Sequence, residues 1–145
     1  LTVTIADGVA IETDMAPSAG GADLSALEHK RLHARAANTD AITALVSLSH
    51  LDGKTEEFLR GFSVTERSGA GSSVKFLEIA RGNADLYPRL APTMEWDTAA
   101  GQAVLEAAGG HVVDAKGARF GYGKTDAGLK NSNFVAWGRT VLTPR

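Results

Sequence analysis

The sequence predicts an α/β domain in which a central mixed sheet is flanked by helices. Three observations carry this. Short apolar runs that read as strands alternate with amphipathic runs that read as helices. At 145 residues the chain is one domain's worth, enough to bury a real core. A hydrophobic fraction of 43% with 22% charged residues is globular composition and excludes a disordered tail or a coiled coil.

Leu1–Ala6 reads as a strand, Asp7-Gly8 as a hairpin turn, and Val9–Thr13 as the returning strand. Residues 14–23, rich in Ala, Gly, Ser and Pro, read as a loop. Residues 25–35 fit either a short helix or a helix followed by a strand. Ala41–Ser47 is a buried-strand candidate. Lys54–Gly61 reads as a short amphipathic helix with Phe58 and Leu59 on its apolar side, stopped by Gly61, and Phe62–Glu66 as a further strand. After the glycine-rich turn Ser68–Ser73, Val74–Arg81 is a helix closed by Gly82. Asn83–Tyr87 reads as a strand, and Pro88 and Pro92 assign the residues beyond Tyr87 to an irregular loop. Asp97–Ala108 is the clearest helix, ending at Gly109-Gly110. His111–Ala115 and Ala118–Tyr122 form a hairpin across Lys116-Gly117, and Asn133–Gly138 is the last strand.

Composition narrows the function. Fifteen basic and seventeen acidic side chains leave a net charge of −2, without the basic excess that a nucleic-acid polymer requires. The basic run His29–Arg35 is short and reads as a solvated face. With no cysteine, disulfides, thiolate nucleophiles and Cys-based zinc sites are excluded. No apolar run approaches the ~20 residues of a membrane span, so a cytoplasmic location is the expectation.

Five local features could carry chemistry. Asp97 opens a helix after a Pro-bearing loop, which suits an N-cap carboxylate or a rigid oxygen ligand for Mg²⁺. Thr98, Ala99, Ala100 and Gly101 beside it would admit a ligand close to the helix. The turn Gly69–Ser73 feeding a helix leaves N–H groups for an anion, with Ser72 and Lys75 adding a hydroxyl and a cation, although a simple serine cap fits as well. It lacks Walker A spacing. Ser49-His50 follows a buried strand but forms no G-x-S-x-G elbow. Arg89 stands just past a strand end, where its planar fork could grip phosphate. His29 and His33 share a face if their segment is helical, without a third ligand.

In order, Ser47-Leu48-Ser49-His50, Ala70-Gly71-Ser72-Ser73-Val74-Lys75-Phe76, Asp85-Leu86-Tyr87-Pro88-Arg89-Leu90 and Trp96-Asp97-Thr98-Ala99-Ala100-Gly101 with Gly109-Gly110 resemble the C-terminal half of the inositol monophosphatase superfamily. Within it they are most similar to the bacterial 3′(2′),5′-bisphosphate nucleotidases of the CysQ type, closely from about residue 41 onward and loosely over 1–40. The resemblance implies a Mg²⁺-dependent phosphatase, using two or three ions, that removes the 3′-phosphate of adenosine 3′,5′-bisphosphate to give AMP in sulfate assimilation. It implies Asp97 as a metal ligand that also approaches substrate, and His50, Ser72, Lys75 and Arg89 as nucleotide-binding positions. Leu48 departs from the Arg that relatives often place before Ser-His.

The family's N-terminal Glu and its Asp-Pro-[Ile/Leu]-Asp-Gly-Thr motif do not occur in these residues. The resemblance therefore implies that 1–40 are a remnant of the N-terminal α+β domain with its linker and 41–145 the C-terminal α/β domain. On that reading the chain lacks part of the active site and is inactive by itself. An inositol monophosphatase or other sugar phosphatase, and a non-catalytic nucleotide-binding domain, are the alternatives. A homodimer and peripheral membrane association are both compatible with the resemblance.

Overall fold

The computed structural model describes residues 2–14, 27–47 and 52–145. Strands β1 (Thr2–Ala6), β2 (Val9–Thr13) and β3 (His29–Arg31) form an antiparallel sheet in that order. Asp7 and Gly8 turn β1 into β2 with φ of 50° and 75°, the two left-handed residues of a type I′ hairpin. The described part of 25–35 holds β3 and no helix, so His29 and His33 do not share a helical face. The ladder instead pairs His29 with Thr13, whose Oγ1 lies 2.9 Å from the His29 Nδ1.

The remaining strands are β4 (Ile42–Val46), β5 (Val64–Gly69), β6 (Leu86–Arg89), β7 (Thr93–Met94), β8 (His111–Asp114), β9 (Lys130–Asn131) and β10 (Phe134–Trp137), with helices α1 (Gly53–Leu59), α2 (Val74–Ala80) and α3 (Glu95–Ala107) between them. Five of these strands form a mixed sheet in the order β5-β4-β6-β10-β8, parallel around β4 and antiparallel around β10. Side chains alternate across a strand, so each central strand feeds two cores. Leu45, Tyr87, Phe134 and Ala136 face a core with Phe76, Ile79 and Leu105. Ile42, Ala44, Val46, Leu86, Val135 and Trp137 face the other, with Leu59. Ala10 of β2 and Leu32, just past β3, join the former core. Helices α2 and α3 thus lie between two sheets, and α1 covers the far face of the larger one.

Several boundaries differ from the sequence expectation. Pro88 lies inside β6, not in a loop. The β4 pairing with β6 is at Ala44–Leu86, so Pro88 sits beyond it, where its missing N–H costs the parallel ladder nothing. α3 begins at Glu95, two residues early. The 118–122 arm of the hairpin is not a strand but touches β8 through one bridge, Val113–Arg119. Gly61 does not close α1 in a left-handed turn; a Cβ there would lie 2.6 Å from Pro144 Cβ, so it admits the C-terminal segment. Gly82 and Gly109 do follow their helices with positive φ, as expected.

One missed residue locks the large sheet. Asp85 is fully buried, grips Arg35 Nε and Nη2 at 2.7 Å each, and accepts the Thr43 N–H at 2.8 Å.

Candidate active site

A cavity of about 300 Å³ opens at the end of β4 and β6. It is lined by Ser47, Ser72, Lys75, Phe76, Tyr87, Arg89, Thr93, Asp97 and Thr98. Five elements deliver these residues: the end of β4, the turn into α2 with that helix's first turn, the end of β6, β7, and the start of α3. The location fits the rule that ligands of α/β folds gather beyond the carboxyl ends of parallel strands.

Two cations in the cavity are unmatched. Lys75 is 3% exposed and, among the described residues, has no hydrogen-bond or ion-pair partner; its Nζ lies 5.0 Å from the Tyr87 ring centroid. Burial, and secondarily the charge of Arg89, push its pKa below the ordinary lysine range. Arg89 Nε is buried with no acceptor, while its Nη2 makes only a long 3.4 Å contact with the Pro92 carbonyl. A buried donor like Arg89 Nε is nearly always paired; with the unpartnered Lys75 ammonium lining the same cavity, the two mark a place prepared for an anion. Tyr87 beneath them has its pKa raised by burial.

Part of the backbone after the glycine-rich turn is already bonded. The N–H groups of Val74 and Phe76 are spent on the carbonyls of Gly71 and Ser73 at 3.0 and 3.1 Å, and the Ser73 side chain makes no cap bond. The turn lines the cavity with Ser72, and the first turn of α2 lines it with Lys75 and Phe76. Ser72 itself sits at φ 31°, a left-handed conformation that costs a non-glycine residue roughly 1–2 kcal/mol.

Asp97 is exposed and is not the N-cap of α3. It is the third helical residue, and its Oδ2 accepts the N–H of Met94, the N-cap residue, at 2.9 Å. Ala99 and Ala100 are exposed beyond it. Gly101 does not make room for a ligand: a Cβ there would lie 2.6 Å from Phe76 Cδ2 and 2.8 Å from Cγ. It is the point where α3 closes on α2.

Behind Asp97 lies a polar network that sequence reasoning missed. Glu95, buried, accepts the N–H groups of Gly123 and Lys124 at 3.0 Å each and Lys124 Nζ at 3.2 Å; these bonds, led by the Lys124 backbone, hold its pKa below the ordinary glutamate range. Asn131 Nδ2 shares its protons among Met94 O, Thr98 Oγ1 and Thr93 Oγ1 at 2.8, 3.0 and 3.1 Å. Tyr122 donates to Gln102 Oε1 at 2.8 Å.

Of the residues singled out from the sequence, Ser72, Lys75, Arg89 and Asp97 meet in this cavity; His50 lies outside the described residues. Among the described residues, no three His, Asp or Glu side chains come together as metal ligands. A magnesium ion takes near-octahedral oxygen coordination and is usually held by one or two carboxylates together with waters and substrate phosphates. Asp97 offers one carboxylate oxygen that Met94 leaves free, so the described residues by themselves do not form a magnesium site.

The sequence of the inositol monophosphatase family, taken as a family model, matches residues 11–140. The chain belongs to that family. It is 46% identical over 78 residues to the 3′(2′),5′-bisphosphate nucleotidase CysQ of Escherichia coli strain K12, covering 54% of this chain and 32% of that protein. It is 48% identical over 93 residues to an uncharacterized protein in the pss 5′ region of Rhizobium leguminosarum bv. phaseoli, covering 60% of this chain and 98% of that one. The crystal structure of CysQ from Bacteroides thetaiotaomicron, a bacterial member of the family, superposes with a TM-score of 0.67 at 38% identity, covering 78% of this chain and 42% of the other. The chain therefore spans about a third of the E. coli nucleotidase. No helix among the described residues is long and apolar enough to cross a membrane.

Proposed function

We propose that this chain forms the substrate-phosphate wall of a phosphatase that removes the 3′-phosphate of adenosine 3′,5′-bisphosphate, giving AMP and phosphate. The observation that carries the reading is the pair of unmatched cations, Lys75 and Arg89 Nε, facing one cavity with Asp97. A cation buried without a counter-charge costs stability unless an anion arrives to pair with it. A phosphoryl group supplies that charge together with several acceptor oxygens. Lys75 and Arg89 would hold phosphate oxygens and stabilise the charge that builds on them during transfer. Ser72 would add a hydroxyl donor and His50 a contact to the nucleotide. Similarity to the CysQ nucleotidases supports a nucleotide over an inositol phosphate.

The same reading makes Asp97 one ligand of a Mg²⁺ site whose remaining ligands come from the kind of N-terminal domain that residues 1–40 resemble at its end. Residues 41–145 are then the C-terminal α/β domain. Phosphate release from adenosine 3′,5′-bisphosphate and from inositol monophosphate, measured with Mg²⁺, tests this. The 145 residues alone should show no turnover, and a chain extended by a region carrying Asp-Pro-x-Asp-Gly-Thr should prefer the nucleotide. Turnover by the 145 residues would overturn the division of the site. Preference for inositol monophosphate would overturn the substrate. Nucleotide binding without turnover in the extended chain would identify a non-catalytic binding domain instead.

A further inference from the structure

The segment that carries Thr93, Asp97 and Thr98 into the cavity is not anchored by its own helix alone. It is fastened to residues 121–131, which line no part of the cavity. β7 and β9 pair Thr93 with Asn131 and Met94 with Lys130, a ladder of two residues, and the Glu95 N–H adds a bond to the Leu129 carbonyl at 3.0 Å. So short a ladder cannot fix a loop without side chains. Here the side chains form a chain of contacts. Glu95 ties the start of α3 to Gly123 and Lys124. Lys124 Nζ spans from Glu95 to Asn131 Oδ1 at 3.4 Å, and also bonds the Gly121 carbonyl. Asn131 then returns its amide to both cavity threonines and to Met94 O. Met94 in turn gives its N–H to the Asp97 carboxylate. The rings of Phe120 and Tyr122 flank the cation, 4.5 and 5.3 Å from Lys124 Nζ.

We propose that Lys124 and Asn131 are positioning residues of the cavity, holding Thr93, Asp97 and Thr98 in register with Lys75 and Arg89 without touching the bound phosphate. The inference rests on the cavity being a phosphate site. Its mechanism is geometric: each bond from Asn131 ends on an atom of the 93–98 segment, and Lys124 fixes the loop from which Asn131 reaches. A binding constellation loosened by about an ångström loses much of its effect.

Calorimetric titration of the 145-residue chain with adenosine 3′,5′-bisphosphate, alongside thermal unfolding, tests the proposal. Asn131→Leu removes the amide without changing charge, and Lys124→Met removes the cation with little change in length. Each should weaken bisphosphate binding about tenfold in folded protein, while Lys124→Arg stays within about threefold of wild type. Arg119→Met, which breaks an exposed ion pair with Glu106 outside the cavity, should leave the affinity unchanged. If Asn131→Leu does not fold, Asn131→Ser, which also loses the amide, takes its place. Lower thermal stability with unchanged affinity in the Asn131 and Lys124 variants would make the network merely structural and overturn the proposal. So would weakening by Lys124→Met alone, which would be a charge effect. Failure of the wild-type chain to bind adenosine 3′,5′-bisphosphate would instead refute the phosphate reading of the cavity and remove the basis of this one.

Discussion

Replacing Lys75 by methionine should make the free protein more stable and its anion binding weaker. Lys75 is 3% exposed and has no partner among the described residues except the Tyr87 face. Mutational data put the cost of an unpaired buried polar group at about 1–3 kcal/mol. The cation–π contact returns about 0.5–2 kcal/mol of that. Methionine keeps the stem's length and apolar contacts, so the net gain should be of order 1 kcal/mol, read as a higher urea midpoint at unchanged slope. Binding should move the other way. A charge-assisted hydrogen bond is worth about 1.5–3 kcal/mol, or roughly 10- to 150-fold in affinity, read by titrating adenosine 3′,5′-bisphosphate into both proteins. A variant that is less stable, or that binds adenosine 3′,5′-bisphosphate as tightly as wild type, would refute the account of Lys75 as a cation awaiting an anion.

Three further outcomes are expected. The affinity for sulfate, whose charge does not change with pH in this range, should fall as pH rises through a Lys75 pKa that burial sets below the ordinary 10.5. The stability of the free chain should gain over that window relative to Lys75→Met, because the unfolded state binds the extra proton there; parallel pH profiles for the two proteins would contradict this. Arg35→Met should cost about 3–5 kcal/mol, because it strands the buried Asp85 carboxylate. Asp85→Ala should cost less, about 1–3 kcal/mol for the orphaned Thr43 N–H, since the Arg35 side chain is 41% exposed and regains water; denaturant midpoints in the reverse order would refute the asymmetry. Gly101→Ala should lower the melting temperature even though alanine favours a helix by about 1 kcal/mol. Its Cβ meets Phe76, whose ring is held by Tyr87 and Phe134, and overpacking costs about 1–3 kcal/mol.

Local signals explain which parts were legible in the sequence. The apolar run that became β4 and the Asp7-Gly8 turn are readable from neighbouring residues alone. The start of α3 was misplaced because the residue at its N-cap is Met94, which carries no capping side chain, while Asp97 reaches back three residues to do that work. Pro88 misled for a related reason: its tolerance in β6 depends on where β4 stops pairing, a fact of the sheet. Ser72, Lys75, Arg89 and Asp97 were legible as site candidates because their motifs occur in family order. Glu95, Lys124 and Asn131 were not, because their bonds join residues 28 to 38 positions apart and leave no spacing to read. Asp85 escaped in the same way, paired with Arg35 fifty residues earlier.

The central claim is that the cavity between β4, β6 and the start of α3 recognises phosphate on a nucleotide. Titrating the 145-residue chain with adenosine 3′,5′-bisphosphate and with adenosine measures it most directly. The bisphosphate should bind at least about tenfold more tightly, the equivalent of one charge-assisted contact, and Arg89→Met should remove most of that difference. Equal affinities for the two, or a preference for adenosine, would contradict it.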